Sequence, residues 1–334
     1  MSFKRLDPED ITISAESVVS PLWSSTNSPT LTTFFTSSAQ ATGVGTGNFF
    51  YTVYDLDVNT NASAVPQFDI AFGDKYGRGV NPYNASVPQN TYTSTIYGQY
   101  RNLVFGADDV DFQFLAQTSS YIYAITIDRA RYKEKLLPGT FNLTLTSGSR
   151  TLHLTDNSTM LSTVSYVDAG RVFDIISGSN GAAYNASGSN LLGGSYGKLL
   201  PDVGIIILNG TALDSSVDGL NLGTDLGSGS LSLPRFFSAI KTGAAFQLQS
   251  EETITSDYVF VRVRNSEFNY TTNPSNLTSS GQLRYDVMIN TPQAYVTAVG
   301  LYNDNNDLLG VAKLSRPLLK DFTKEALIRI KLDY

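Results

Sequence analysis

Ile328-Arg329-Ile330-Lys331-Leu332-Asp333-Tyr334 alternates without a break. Successive side chains of a strand point to opposite faces, so Ile328, Ile330, Leu332 and Tyr334 share one side and Arg329, Lys331 and Asp333 the other. This is the pattern of an antiparallel strand with one face on a core and one in water. Tyr258-Val259-Phe260-Val261-Arg262-Val263-Arg264 has the same period. Between these runs, residues 294–302 and 308–314 flank Asn303-Asp304-Asn305-Asn306-Asp307. Asn and Asp tolerate the left-handed backbone of a tight reversal, which predicts a hairpin with a four- or five-residue loop. Residues 251–334 are therefore expected to form a small C-terminal antiparallel β domain.

Strand signals continue toward the N-terminus. Phe49-Phe50-Tyr51-Thr52-Val53-Tyr54 and Gln67-Phe68-Asp69-Ile70-Ala71-Phe72 are aromatic and β-branched runs bounded by turn residues. Further runs lie at 121–127, 141–146, 151–155 and 172–176, and the apolar stretch 203–208 reads as a fully buried strand. Between residues 93 and 105 the period changes: Ile96, Tyr97, Tyr100, Leu103 and Val104 recur at helical spacing. The reading for residues 41–250 is an antiparallel, β-sandwich-like body with one short helical insertion. The Gly/Ser-rich stretches near 177–197 and 214–230 are expected to be flexible loops.

Composition supports a mainly β chain. Charged residues are 16% of the 334, below the usual level of about 25%, with Ser, Thr, Asn and Gly in their place, and 19 Tyr and 18 Phe accompany a single Trp. With no Cys and one His, thiolate sites, disulfides and zinc centres needing several imidazoles fall away. A net charge of −7 argues against nucleic acid as a partner. The N-terminus has no signal-like apolar region and no window is long enough to span a bilayer, so neither secretion nor a membrane is expected.

Residues 1–40 form the expected N-terminal arm. Ser and Thr dominate from residue 12 onward, with Pro21 and Pro29 interrupting, and such a stretch has too few apolar groups to order itself. Its Trp23, Phe34 and Phe35 are expected to anchor on neighbouring subunits, because a solvated tail has no use for them. A second candidate docking element is Arg129, Arg131, Lys133 and Lys135. These alternate cations would extend the apolar face of the preceding strand, so the chain must leave the sheet there, bulge, or meet acidic partners.

The motifs that could carry chemistry weaken on inspection. Gly193-Gly194-Ser195-Tyr196-Gly197 fits a nucleophile-elbow pattern but lacks the flanking strand–helix signal and a following His. Around Lys198 a phosphate loop fails, with Leu192 where Gly is needed and Leu199 where a hydroxyl is needed. Asp55-x-Asp57-x-Asn59 begins like a calcium loop, but Thr60 and Pro66 stand at the positions of its Gly and Glu. His153 alternates with Leu152 and Leu154 and reads as a surface residue. No catalytic residue, cofactor or metal is expected.

Three stretches together resemble structural virion proteins of contractile-tailed bacteriophages, particularly those of marine cyanobacteria. They are Ser20-Pro21-Leu22-Trp23-Ser24 with Leu31-Thr32-Thr33-Phe34-Phe35-Thr36; Ile96-Tyr97-Gly98-Gln99-Tyr100-Arg101 with the segment from Arg129 to Leu136; and Val299-Gly300-Leu301-Tyr302-Asn303 with Leu309-Gly310-Val311-Ala312-Lys313-Leu314-Ser315. The resemblance implies a non-enzymatic tail or baseplate component, with fibre attachment as one possible role. It would be assembled in the host cytoplasm, present in multiple copies in a symmetric particle, and partnered by other virion proteins. Alternatives are a host-receptor or carbohydrate-binding module, or a neck or head decoration protein.

Overall fold

The computed structural model describes residues 3–24, 28–37, 50–80, 86, 91–184, 194–227, 230–270 and 273–333. The chain divides into two compact units, residues 18–252 and residues 1–17 with 253–334. Both are mainly antiparallel β, as the alternation requires.

The larger unit is organised by one sheet of thirteen strands. Its main path runs Thr30–Leu31, Ala245–Gln247, Asn142–Ser147, Arg150–Asp156, Gly170–Ser179, Gly197–Leu200, Ile205–Asn209, Tyr121–Ile127, Pro66–Asp74, Phe50–Tyr54, Phe35–Thr36. Phe68, on a strand near one end of this path, meets Phe246, near the other, with ring centroids 5.3 Å apart. The sheet therefore curls round until its far strands face each other. The path begins at Thr30–Leu31 and ends at Phe35–Thr36, and these strands belong to one short segment of chain. Residues 30–36 thus strap the two edges together, which removes the unpaired rows of backbone groups that an open sheet would expose.

Period-2 burial fills the interior. Phe68, Ile70 and Phe72 point inward, as do Tyr121, Tyr123, Ile125 and Ile127 on the neighbouring strand. The helix Ser232–Gly243 turns Leu233, Phe236, Ala239 and Ile240 to the same core, with Phe236 4.5 Å from Tyr123. The helix Tyr92–Phe105 packs on the opposite face, where Gly73 is required because a Cβ there would lie 2.9 Å from the Tyr97 backbone nitrogen. Tyr97 is buried, and its hydroxyl donates to the Ser119 carbonyl and accepts from the Phe112 amide.

Three expectations need correction here. Residues 1–40 are not a free arm: residues 18–37 belong to the curled sheet's unit, and residues 3–17 belong with the C-terminal unit. The last arm residues, 38–40, and the first body residues, 41–49, lie outside the described residues. The expected mainly β, sandwich-like architecture is present, with one curled sheet supplying both of its layers. The polar stretch 214–230 is no simple surface loop, since Leu220 and Leu222 are buried in the core. Residues 185–193 and 228–229 of the expected loops fall outside the described residues. The sequence reading does not find the 232–243 helix, although Leu233, Phe236, Phe237 and Ile240 recur at helical spacing and Pro234 sits in the first turn.

The strands Ile11–Pro21, Gln249–Val263 and Ala326–Asp333 lie side by side in that order, and their residues 11–17, 253–263 and 326–333 belong to the C-terminal unit. A separate two-stranded hairpin, Gln293–Tyr302 with Leu308–Asp321, packs one face on them. The resulting core is small: Val259, Ile328 and Ile330, with Leu6, Val261, Val296, Val299, Leu301, Ala312 and Leu314 partly buried against it.

Candidate assembly surface

The expected anchors of the arm are placed inside their own chain. Trp23 and Phe34 are 3% and 2% exposed. Trp23 packs on Phe246 and Phe68, and Phe34 packs on Phe68. Phe35 is half-buried in the short strand beside Phe50–Tyr54. Two of the three are therefore unavailable to a neighbouring subunit, because the curled sheet supplies the apolar surroundings that the local sequence lacks.

The basic segment is also matched internally. At Asp128 the chain leaves the sheet into a single turn, Arg129–Arg131, capped by the Asp128 carboxylate on the Ala130 amide. Lys133 reaches Glu252 at 2.7 Å, and Lys135 lies opposite Glu251 in the strand pairing, 3.7 Å from its carboxylate. The Arg129 guanidinium donates to the carbonyls of Tyr132 and Lys133 and lies 4.5 Å over the Tyr132 ring. Arg131 is the exception, half-buried with its Nε lacking a hydrogen-bond partner. A strip whose lysines already face carboxylates has little charge left for docking.

Buried carboxylates are occupied by structural hydrogen bonds. Asp55 accepts from the Ser24 hydroxyl and the Val65 amide, and Asp156 from the amides of Gly139 and Ser158. Asp74 accepts the amides of Tyr76 and Arg78 and the Arg78 guanidinium. Ser195 is fully buried and donates to the Gly197 carbonyl. His153 is exposed, with Nδ1 3.1 Å from the Thr144 hydroxyl. Asp57 organises a turn by accepting the Asn59 amide. Among the described residues, no group of three or more His, Asp or Glu could hold a metal, and no helix is long and apolar enough to cross a membrane.

The surface that stands out is the outer side of the C-terminal hairpin. Its five-residue turn is built by Asn303, whose side-chain oxygen accepts the amides of Asn305 and Asp307. The strand register sets Val299 opposite Ala312 and Leu301 opposite Gly310, and Val299, Leu301 and Ala312 face the small core. Alternation then turns the pairs Tyr295–Leu319, Ala298–Lys313, Gly300–Val311 and Tyr302–Leu308 away from that core. Tyr295 is 65% exposed, Leu309 70% and Val311 62%. The Tyr302 ring lies across Gly300, where a Cβ would sit 2.9 Å from it, and Phe3 meets that ring edge-on at 5.1 Å. Lys313 is the one cation in this row of pairs.

An isolated two-stranded hairpin is marginal in water, and here one of its faces is left wet and apolar. The register jumps between Val296–Leu318 and Ala298–Lys313, so Leu314, Ser315, Arg316 and Pro317 bulge opposite Thr297 alone. A bulge carrying a proline blunts that edge against further strand addition, leaving the face as the feature suited to contact. The Asn/Asp turn in the sequence predicts the hairpin, but not which of its two sides is covered.

Comparison of the chain with family models, with curated proteins and with solved structures finds no match in any of the three.

Proposed function

We propose that this chain is a non-enzymatic structural subunit of a bacteriophage particle, working in the tail or baseplate through protein–protein contacts. One observation carries the reading: among the described residues the C-terminal unit's core cluster has three buried apolar side chains, while the outer side of its hairpin offers Tyr295, Leu309 and Val311 to solvent. Covering that face would add about 25 cal/mol of stabilisation for each Å² of apolar surface removed from water. The buried carboxylates described above serve turns and ion pairs, consistent with a scaffold. The choice of particle rests on the resemblance of three short stretches to contractile-tail virion proteins, and host-cytoplasmic assembly goes with it.

The test is proteomic and structural. Purified virions should contain the chain at a fixed multi-copy ratio to the major tail proteins, with the hairpin face covered in a reconstruction. Its absence from purified particles removes the reading.

Carbohydrate binding remains the second reading, favoured by one groove of 360 Å³ lined by Phe50, Ala71, Ile96, Gln99, Tyr100 and Leu103. Aromatic rings beside an amide side chain suit a sugar face. A glycan array separates the two: specific binding lost in Tyr100→Ala favours recognition over scaffolding.

A further inference from the structure

Building on the assembly reading, we infer that the outer face of the hairpin Gln293–Tyr302/Leu308–Asp321 packs against the same face of a second copy of this chain, forming a two-fold dimer.

The size of the face fits this role. Ten residues of strand at about 3.3 Å each, two strands wide, give roughly 500–600 Å² with the spread of the side chains. That is most of the roughly 800 Å² which a standard interface takes from each partner. The face is apolar at Tyr295, Gly300, Tyr302, Leu308, Leu309 and Val311, as the centre of a self-associating patch should be.

The distribution of charge selects a second copy over an unrelated partner. Gly300 and Val311 are opposite each other in the register, and a two-fold axis through this pair sets the flattest part of the face against itself. Lys313 then lies two residues to one side of the axis. The turn, with Asp304 and Asp307, lies on the other side. The two-fold operation brings Lys313 of each copy toward the partner's turn, so the face supplies its own acidic complement. An axis through Lys313 itself would oppose like charges and is disfavoured.

Sedimentation velocity of the full chain over roughly 1–100 µM is the test, a range that brackets ordinary homodimer affinities. The wild type should sediment as a dimer. Val311→Glu and Tyr295→Glu should each weaken association at least tenfold while leaving the circular dichroism spectrum unchanged. Lys313→Glu should weaken it and Lys313→Glu with Asp304→Lys should restore it, a rescue that damage to the fold could not produce. A wild type that stays monomeric across this range, or a dimer indifferent to Val311→Glu, overturns the inference. A chain monomeric alone but present in purified virions overturns only the self-association. Monomeric behaviour together with absence from virions removes the assembly reading as well.

Discussion

The indole of Trp23 packs on the ring of Phe246 with centroids 4.9 Å apart, and its Nε1 donates to the Pro29 carbonyl at 2.8 Å. These two residues are more than two hundred positions apart, and their contact lies where the curled sheet is strapped shut. Leu31 pairs with Phe246 on one edge, and Phe35 pairs with Tyr54 on the other. The Ser/Thr-rich segment is thus a closing element of the larger unit. Its apolar residues hold two ends of one sheet together.

Truncating Trp23 should therefore act on folding. Trp23→Ala removes a buried indole and a hydrogen bond, and buried aromatic truncations cost about 3–5 kcal/mol. Urea unfolding of the full chain should show an unfolding free energy lowered by that amount, with the midpoint falling accordingly, and Phe35→Ala, half-buried, costing less. An unchanged midpoint combined with lost incorporation into particles would return Trp23 to the role of an intersubunit anchor.

The unequal legibility of these elements has a physical basis. Residues 328–334 and 258–264 state their faces in their own period, because each strand has one wet side. The run 203–208 is legible as the buried strand Ile205–Asn209 because its residues 205–208 are four consecutive buried apolar side chains. Residues 30–36 carry no such signal. They form two strands of two residues each, and their partners come from positions 50–54 and 245–247. Long-range pairing of this kind leaves no periodicity in a short window. The alternate cations at 129–135 correctly implied that the chain must leave the sheet or meet carboxylates. Both occur, but the acidic partners Glu251 and Glu252 are over a hundred residues away.

Lys320 is fully buried, and its ammonium donates to the Asn265 carbonyl, the Asn269 side-chain oxygen and the Asp321 carbonyl, at 3.1, 2.6 and 2.9 Å. It ties the loop after Val263 to the end of the hairpin's second strand. Lys320→Met keeps the aliphatic stem but strands three acceptors, and losing hydrogen bonds to a buried charge costs about 2–4 kcal/mol in all. Hydrogen exchange should rise sharply across residues 265–269 and 318–321 while the sheet of the larger unit stays protected. Unchanged exchange in both segments would show that the clasp is not needed.

Asp202 accepts the Arg171 amide at 2.8 Å and its guanidinium at 2.6 Å. Burial works against the charge on Asp202, but these hydrogen bonds outweigh it and hold its carboxyl below the usual range. A carboxyl depressed on folding contributes stability above its unfolded pKa, and that contribution disappears as pH falls through the lower folded value. The stability gap between wild type and Arg171→Met should be full at pH 6 and shrink below about pH 4. Chemical denaturation at a series of pH values reads it directly. A gap that stays constant down to pH 2 would mean that packing of the Arg171 stem, and not its charge, accounts for the effect.

At the alkaline end the sign reverses. Burial pushes the Tyr97 and Tyr196 hydroxyls up to about 12, and it raises Tyr121 and Tyr123 further. A phenol whose pKa rises on folding contributes stability that is intact below its unfolded value of about 10 and is lost as pH climbs toward the folded value. The fold should therefore hold to about pH 10 and weaken steeply above it, as buried phenols are drawn out to ionise. Absorbance at the phenolate band should rise in two phases. The later phase, from the buried group, should coincide with loss of the far-ultraviolet strand signal. Tyr196→Phe keeps the ring in the core and removes one such phenol, along with its 2.6 Å hydrogen bond to the Asp218 carbonyl. The variant should be less stable than wild type at pH 8, and the difference should narrow above pH 10. A difference that widens there would mean that folding lowers the Tyr196 pKa, contrary to the effect of burial.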